Sequence, residues 1–256
     1  MQFLDIDLNN KKILLSGNYG DPIYHPDFVD LVQQLKQRGA ILEITTNGSH
    51  RKADWWQDLT QHFTPEDSIT FSIDGLPENF TKYRQNADWD SIMLGVQACV
   101  ISPAVVNWKY IPFDYNQDHI ESAKQLSQTL GFDRFFVDPS KRFDDTATQD
   151  LKPNEHLVNL EYESRLDWKQ NNPGPVDAKC RNGQEHFITA DGYYSPCCFV
   201  ADHRWYYKTQ FGKHKNQYSI ADHTLSTILA QDTVVEFYKN IPEQPVCQFS
   251  CPKLAG

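Results

Sequence analysis

Apolar positions between residues 13 and 137 alternate between two periods, and the alternation predicts strands and helices in turn. Ile13-Leu14-Leu15 is an apolar run of strand length. Over 28–38 the residues Phe28, Leu31, Val32 and Leu35 fall at i, i+3, i+4 and i+7, one stripe of a helix that Gly39 closes. A strand over 41–45 follows, then a helix over 53–62 with Trp55, Trp56 and Leu59 as its apolar positions. The next strand covers 69–73. A helix over 89–101 gathers Trp89, Ile92, Met93, Val96, Cys99 and Val100 on one stripe, which makes Cys99 a core residue. A strand at 105–111, a helix from 117 to 130 stopped by Gly131, and a strand at 135–137 complete the series. Five strands joined by four helices predict an α/β fold with a parallel β/α array, open or barrel-like.

The pattern breaks after Asp138. Residues 139–179 are polar and interrupted by proline, which suits a linker carrying one short helix around 154–168. The remainder, 180–256, holds five of the six cysteines and looks too irregular for a large core of its own, so a metal would supply the missing staple. The organisation expected is therefore 1–138, a linker at 139–179, and a small cysteine-rich domain at 180–256.

Composition narrows the partners. A 256-residue chain with 39% hydrophobic residues and six tryptophans can bury one sizeable core plus an appendage. Its formal net charge of −10, with no lysine/arginine stripe, argues against a nucleic-acid backbone as partner. No apolar run approaches the roughly 20 residues of a membrane span. The opening residues lack the apolar core and cleavage site of a signal peptide. Six cysteines without an export signal then point to a reducing cytoplasm and to thiolate chemistry.

Those thiolates are Cys180 and Cys197 of CRNGQEHFITADGYYSPCC, and Cys247 and Cys251 of CQFSC. Four thiolates complete the shell of a 4Fe–4S cluster, and a long spacing followed by a tight Cys-x3-Cys suits one site built from two distant loops. Zinc is the main rival, although its ribbons favour paired Cys-x2-Cys knuckles. A disulfide pair and buried free thiols are the blander alternatives. Cys198, next to Cys197, is its understudy.

In parallel β/α folds, ligands bind beyond the carboxyl ends of the strands. After the first strand comes Ser16-Gly17-Asn18-Tyr19-Gly20-Asp21-Pro22. Its glycines let a ligand approach the backbone, whose carbonyls can accept from an ammonium, with Asp21 adding negative charge. Thr46-Asn47-Gly48-Ser49 follows the second strand, and Ser72-Ile73-Asp74-Gly75 the third, offering a hydroxyl and a carboxylate to a ribose. Asn-Gly and Asp-Gly are also ordinary turns, but three such loops in register on one face carry more weight. His25, just past the first loop, reads as a histidine that packs or hydrogen-bonds.

The order LLSGNYGDPIYHPDF, EITTNGS, TFSIDG, with Arg84 downstream, resembles the radical S-adenosylmethionine superfamily, Gly20-Asp21-Pro22 standing where the family has Gly-Glu-Pro. Cys180-x11-Gly192-x4-Cys197 resembles the opening of the SPASM or twitch domains, which hold auxiliary 4Fe–4S clusters, and Cys247-x3-Cys251 would close a one-cluster version. The resemblance implies a partial parallel (β/α) barrel followed by a small SPASM/twitch-like domain. It also implies that Gly17, Asn18, Gly20 and Asp21 face the methionyl end of S-adenosylmethionine, with Asn47 on the same rim. Ser72 and Asp74 would lie near the ribose, and Arg84 would support the carboxylate. Cys180, Cys197, Cys247 and Cys251 would ligate one 4Fe–4S cluster.

One departure is severe: the family's Cys-x3-Cys-x2-Cys is absent, and no cysteine precedes Cys99. By the resemblance, the first barrel strand is missing as well. The expectation is a fragment of an enzyme that modifies a peptide or small molecule by radical chemistry, inactive unless another chain supplies the missing segment. The alternative is a non-catalytic 4Fe–4S binding or interaction module of the same ancestry, with a structural zinc protein as the third reading.

Overall fold

A computed structural model describes residues 5–17, 20–140, 143, 149–158, 176–178, 180 and 185–251. The chain forms two compact units, Asp7–Tyr162 and a second made of Met1–Ile6 with Glu163–Gly256.

The first unit is the predicted parallel array. Strands β1 (Lys12–Leu15), β2 (Ile41–Thr46), β3 (Ser68–Ser72), β4 (Val105–Tyr110) and β5 (Arg134–Val137) lie in that order, every neighbouring pair parallel. Helices α1 (Phe28–Gln37), α2 (Ala53–Thr60), α3 (Trp89–Val100) and α4 (Ile120–Thr129) make the crossovers. β2 alternates half-buried and buried positions, burying Leu42, Ile44 and Thr46. The edge strands β1 and β5 bury none of their residues, and Leu14 on β1 is 63% exposed. Trp56, Phe71 and Trp108 fill the space between sheet and helices, and the Trp108 indole donates to the Ile73 carbonyl at 2.8 Å. Full burial of such aromatics contributes a few kcal/mol each, on the order of 25 cal/mol per Å².

Two details depart from the periodic pattern. The helix expected from 117 begins as a 3-10 turn, Gln117–His119, before α4 proper. Asp67, just before β3, is a buried carboxylate accepting from Lys36 Nζ at 2.8 Å, the Leu42 amide at 2.7 Å and the Thr64 amide at 2.7 Å. It knots the strand ends away from the candidate rim, and a buried charge persists only when so satisfied.

Of the stretch expected as a linker, 143 and 149–158 are described. Phe143, Leu151 and Val158 pack with Phe113, Ile111 and Tyr115 of the barrel unit, and the Asp114 amide donates to the Leu151 carbonyl at 3.0 Å. The helix expected around 154–168 shows a 3-10 turn, Glu155–Leu157, and the rest of it lies outside the described residues.

The second unit corrects the expectation of a domain without a large core. Tyr194, Phe211, Tyr218, Ile228, Val234, Phe237 and Ile241 are all buried in one cluster with Cys180 and Cys247. A two-stranded hairpin, β6 (Phe187–Ile188) with β7 (Tyr194–Ser195), and short helices α5 (His203–Tyr206), α6 (Gln210–Lys213), α7 (Leu225–Leu229), α8 (Asp232–Lys239) and α9 (Pro245–Ser250) enclose it. Asp5, from the start of the chain, accepts from the Ser226 amide at 3.0 Å on α7.

Candidate functional site

Because β1, β2 and β3 are parallel neighbours, the loops after them open on one rim, as expected. Gly17 is required there, since a Cβ would collide with the Gly20 carbonyl. Asn18 lies outside the described residues. Asp21 spans two loops: Oδ1 accepts from Thr46 Oγ1 at 2.8 Å and the Ile23 amide at 3.2 Å, and Oδ2 from the Asn47 amide at 2.5 Å. Burial nevertheless pushes its carboxyl above the ordinary value, against those hydrogen bonds and the charge of Arg84.

Asn47 Oδ1 accepts from the Ser49 amide at 2.8 Å and from Tyr24 Oη at 3.4 Å. Ser49 Oγ is buried with no hydrogen-bond partner. Ser72 is buried at the end of β3. Two residues on, Asp74 is fully buried and its carboxylate is held within the chain by Arg84 and the Ile111 amide, while burial works against its charge. Arg84 keeps a quarter of its side chain (25%) in solvent, enough to meet an anionic group such as a carboxylate.

Three supports went unseen in the sequence. Arg51 donates from Nε to the Ile23 carbonyl at 2.7 Å and from Nη2 to the same oxygen and to the His25 carbonyl at 3.3 Å, clamping the turn after Asp21. Tyr115 Oη at 2.8 Å and Asn116 Nδ2 at 3.0 Å both donate to the Asp74 carbonyl. An arginine directly after Asn-Gly-Ser was the available signal for the first. His25 is exposed and its Nδ1 accepts from the Asp27 amide, the bland role expected of it.

The cysteine unit is built by its hairpin and its last helix. Gly192, at φ +83°, makes the turn between β6 and β7, a conformation that costs other residues about 1 kcal/mol or more. The hairpin separates Cys180 from Cys197. Cys247 lies on α9 and Cys251 caps it, four residues on, with the Cys251 amide donating to the Cys247 carbonyl at 2.8 Å. The Asp177 amide donates to the Cys251 carbonyl at 2.8 Å, fastening the segment before Cys180 to the end of that helix.

Cys180 and Cys247 are buried in the core, and Cys197 and Cys251 pack against it. All six cysteines are free thiols. The hydrogen bond between Cys180 and Cys197 drives the Cys180 thiol up and brings Cys197 down to about 7, and charge on Cys197, Cys247 and Cys251 raises Cys180 further. Burial pushes Cys247 up to about 12, with Cys197 and Cys251 adding to the rise. As placed, the sulfurs do not form a finished coordination shell: among the described residues no three Cys, His, Asp or Glu side chains are arranged to hold an ion. The donor set nonetheless suits a thiolate-ligated group, with four thiols from two distant segments gathered on one core and mutually coupled in charge. Cys198 is exposed and Cys99 is buried alone in the barrel, as the apolar stripe required.

Residues 180–252 match the SPASM family model, described as an iron–sulfur cluster-binding domain. The tungsten-containing aldehyde ferredoxin oxidoreductase cofactor-modifying protein of Pyrococcus furiosus is 27% identical over 121 residues, 40% of this chain and 33% of that protein. The chain thus spans about a third of the length of that curated relative. Among solved structures, hexahistidine-tagged anSMEcpe with bound AdoMet superposes with a TM-score of 0.52 at 12% identity, over 94% of this chain and 71% of that one. Streptococcus suis SuiB gives 0.57 at 13%, over 93% and 60%. At these identities the likeness is one of fold, an α/β architecture with a five-stranded parallel sheet. The class that the match defines is confined to residues 180–252, which are similar to iron–sulfur cluster-binding SPASM domains. Cys180, Cys197, Cys247 and Cys251 fall inside the matched residues, as does Cys198. Among the described residues no helix is long and apolar enough to cross a membrane.

Proposed function

We propose that Cys180, Cys197, Cys247 and Cys251 hold one auxiliary 4Fe–4S cluster, and that the barrel rim keeps part of a pocket for S-adenosylmethionine. The observation that carries this is the SPASM match over 180–252, which brackets four thiols collected on one buried core. When bound, such a cluster supplies one-electron redox capacity. The chain's own part is to bring the thiols together: the Asp177–Cys251 backbone bond and the β6–β7 hairpin fix the segments, and the proton shared by Cys180 and Cys197 leaves on ligation. On the rim, Gly17 and Gly20 expose backbone, Asp21 and Asn47 tie the loops, and Arg84 offers its cation to the methionyl carboxylate. Ser72 and Asp74 back the ribose side, Asp74 acting through Arg84.

The substrate class this supports is a peptide or a small molecule, with a chain bearing Cys-x3-Cys-x2-Cys as partner in a reducing, cytoplasmic setting. Support for a further cluster supplied from outside these residues comes from the four thiols on one core, which would already close one cluster's shell. The second reading is a non-catalytic iron–sulfur interaction module, which the cysteine core alone would suffice to build.

Anaerobic reconstitution with iron and sulfide, followed by metal analysis and electron paramagnetic resonance, tests the first claim. About four irons and four sulfides per chain are expected. Stoichiometric zinc without sulfide would replace this reading with the structural-zinc one.

A further inference from the structure

The turn that follows the first rim loop is held at both ends. At its start Asp21 accepts from the Ile23 amide at 3.2 Å while tying Thr46 and the Asn47 amide. At its end Arg51 donates from Nε to the Ile23 carbonyl at 2.7 Å, from Nη2 to the same oxygen, and from Nη2 to the His25 carbonyl at 3.3 Å. Ile23 between them is fully buried, so its side chain, amide and carbonyl are all fixed. Arg51 is itself propped by three helices. Its guanidinium lies over the Trp55 ring in the first turn of α2, 4.6 Å from the centroid. Trp55 stacks on Phe28, the first residue of α1, with centroids 6.2 Å apart. The Arg51 carbonyl accepts from Ser91 Oγ on α3 at 3.2 Å. Among the described residues Arg51 pairs with no carboxylate, so its charge-assisted hydrogen bonds all go to this one turn. A planar fork with one face on an indole is an arrangement that lysine does not reproduce.

We propose that Arg51 is a positioning residue of the rim pocket, holding Gly20 and Asp21 through the Ile23 carbonyl in the arrangement that receives S-adenosylmethionine. The inference rests on the proposed pocket. Releasing the Arg51 end lets the turn pivot about Asp21, and Gly20 moves with it. Gly20 is free to move, since a Cβ built on it would meet nothing within 4 Å. Arg51 thus acts from the loop after β2 on the loop after β1, and it carries the packing of α1, α2 and α3 to the ligand without touching the ligand.

The full chain is titrated calorimetrically with S-adenosylmethionine as wild type, Arg51→Ala, Arg51→Lys and Lys36→Met, after urea unfolding of each. Lys36→Met is the control for stability alone, since Lys36 bonds the buried Asp67 at the strand ends away from the rim. It should lower the urea midpoint and keep wild-type affinity. Arg51→Ala should weaken binding by about tenfold, the worth of one hydrogen bond lost from the displaced turn. Arg51→Lys should fall between wild type and Arg51→Ala. Arg51→Ala combined with Asp21→Asn should bind no more weakly than the weaker of the two single variants, because both clamps act on one turn. Wild-type affinity in folded Arg51→Ala overturns the inference and leaves the pocket standing. So does a Lys36→Met variant that loses as much affinity as Arg51→Ala, or losses that multiply in the double variant. A wild-type chain that takes up no S-adenosylmethionine overturns the pocket and the inference together. Should Arg51→Ala not fold, Arg51→Lys carries the test, and wild-type affinity in it overturns the inference.

Discussion

The Arg84 guanidinium meets one oxygen of the buried Asp74 carboxylate through two nitrogens, Nε and Nη2, each at 2.8 Å. The Ile111 amide takes the other oxygen at 3.1 Å. Arg84→Ala strands a carboxylate with no solvent access, and the barrel unit should lose about 3–5 kcal/mol. Arg84→Lys should recover only part of this, since an ammonium does not reproduce the two-nitrogen fork. Combining Arg84→Ala with Asp74→Asn should cost less than the sum of the single changes, because the stranded charge is gone. Urea unfolding of the four variants checks this; strict additivity would mean the pair is not coupled.

For the cysteines, alanine at 180, 197, 247 or 251 should lower bound iron and destabilise the second unit, since metal binding and local folding are linked. Cys198→Ala and Cys99→Ala should keep wild-type iron, the first residue being exposed and the second buried in the barrel. Iron loss in Cys198→Ala with retention in Cys197→Ala would exchange their roles.

A pH dependence follows from Asp21. Its carboxyl is pushed above 3.8 by burial, so the folded chain binds that proton more tightly than the unfolded chain. Its contribution to stability is therefore fully present below the unfolded value and falls as pH rises from about 3.8 through the folded value. Asp21→Asn abolishes this dependence and removes the acceptor of the Asn47 amide. The variant should be less stable than wild type at low pH by about 1–3 kcal/mol, and the gap should narrow as pH rises through that window. Urea midpoints at a series of pH values measure it; a gap that widens with pH would contradict the direction of the shift.

The barrel was legible because each of its elements carries a long, single-period stripe, such as Phe28, Val32 and Leu35 on α1. The rim was legible for the side chains that follow strands, including Asp21, Asn47 and Asp74. Arg51, Tyr115 and Asn116 were not, since their partners are backbone carbonyls of Ile23 and Asp74, which leave no mark in a side-chain pattern. The core of the second unit was missed for a different reason. Phe211, Tyr218, Ile228 and Val234 come from helices or turns of four to eight residues, too short for periodicity to register.

The last prediction concerns catalysis. Reductive cleavage of S-adenosylmethionine needs an iron with an open coordination position for the methionyl amine and carboxylate, whereas four cysteine ligands leave none, as closed structural metal sites differ from open catalytic ones. These 256 residues, loaded with iron and sulfide and given dithionite, should therefore form no 5′-deoxyadenosine above background. Weak binding of S-adenosylmethionine should persist, because Gly17, Gly20 and Arg84 still present backbone and a cation at the rim. Arg84→Ala should weaken that binding by about tenfold, the worth of one charge-assisted hydrogen bond. Isothermal titration measures the affinity and chromatography the nucleoside. Adding a polypeptide that bears Cys-x3-Cys-x2-Cys should switch cleavage on if the chain works as part of an enzyme. Continued silence with that polypeptide bound would favour the interaction module, and dithionite-dependent 5′-deoxyadenosine from the chain alone would show that one of the four cysteines is not a ligand.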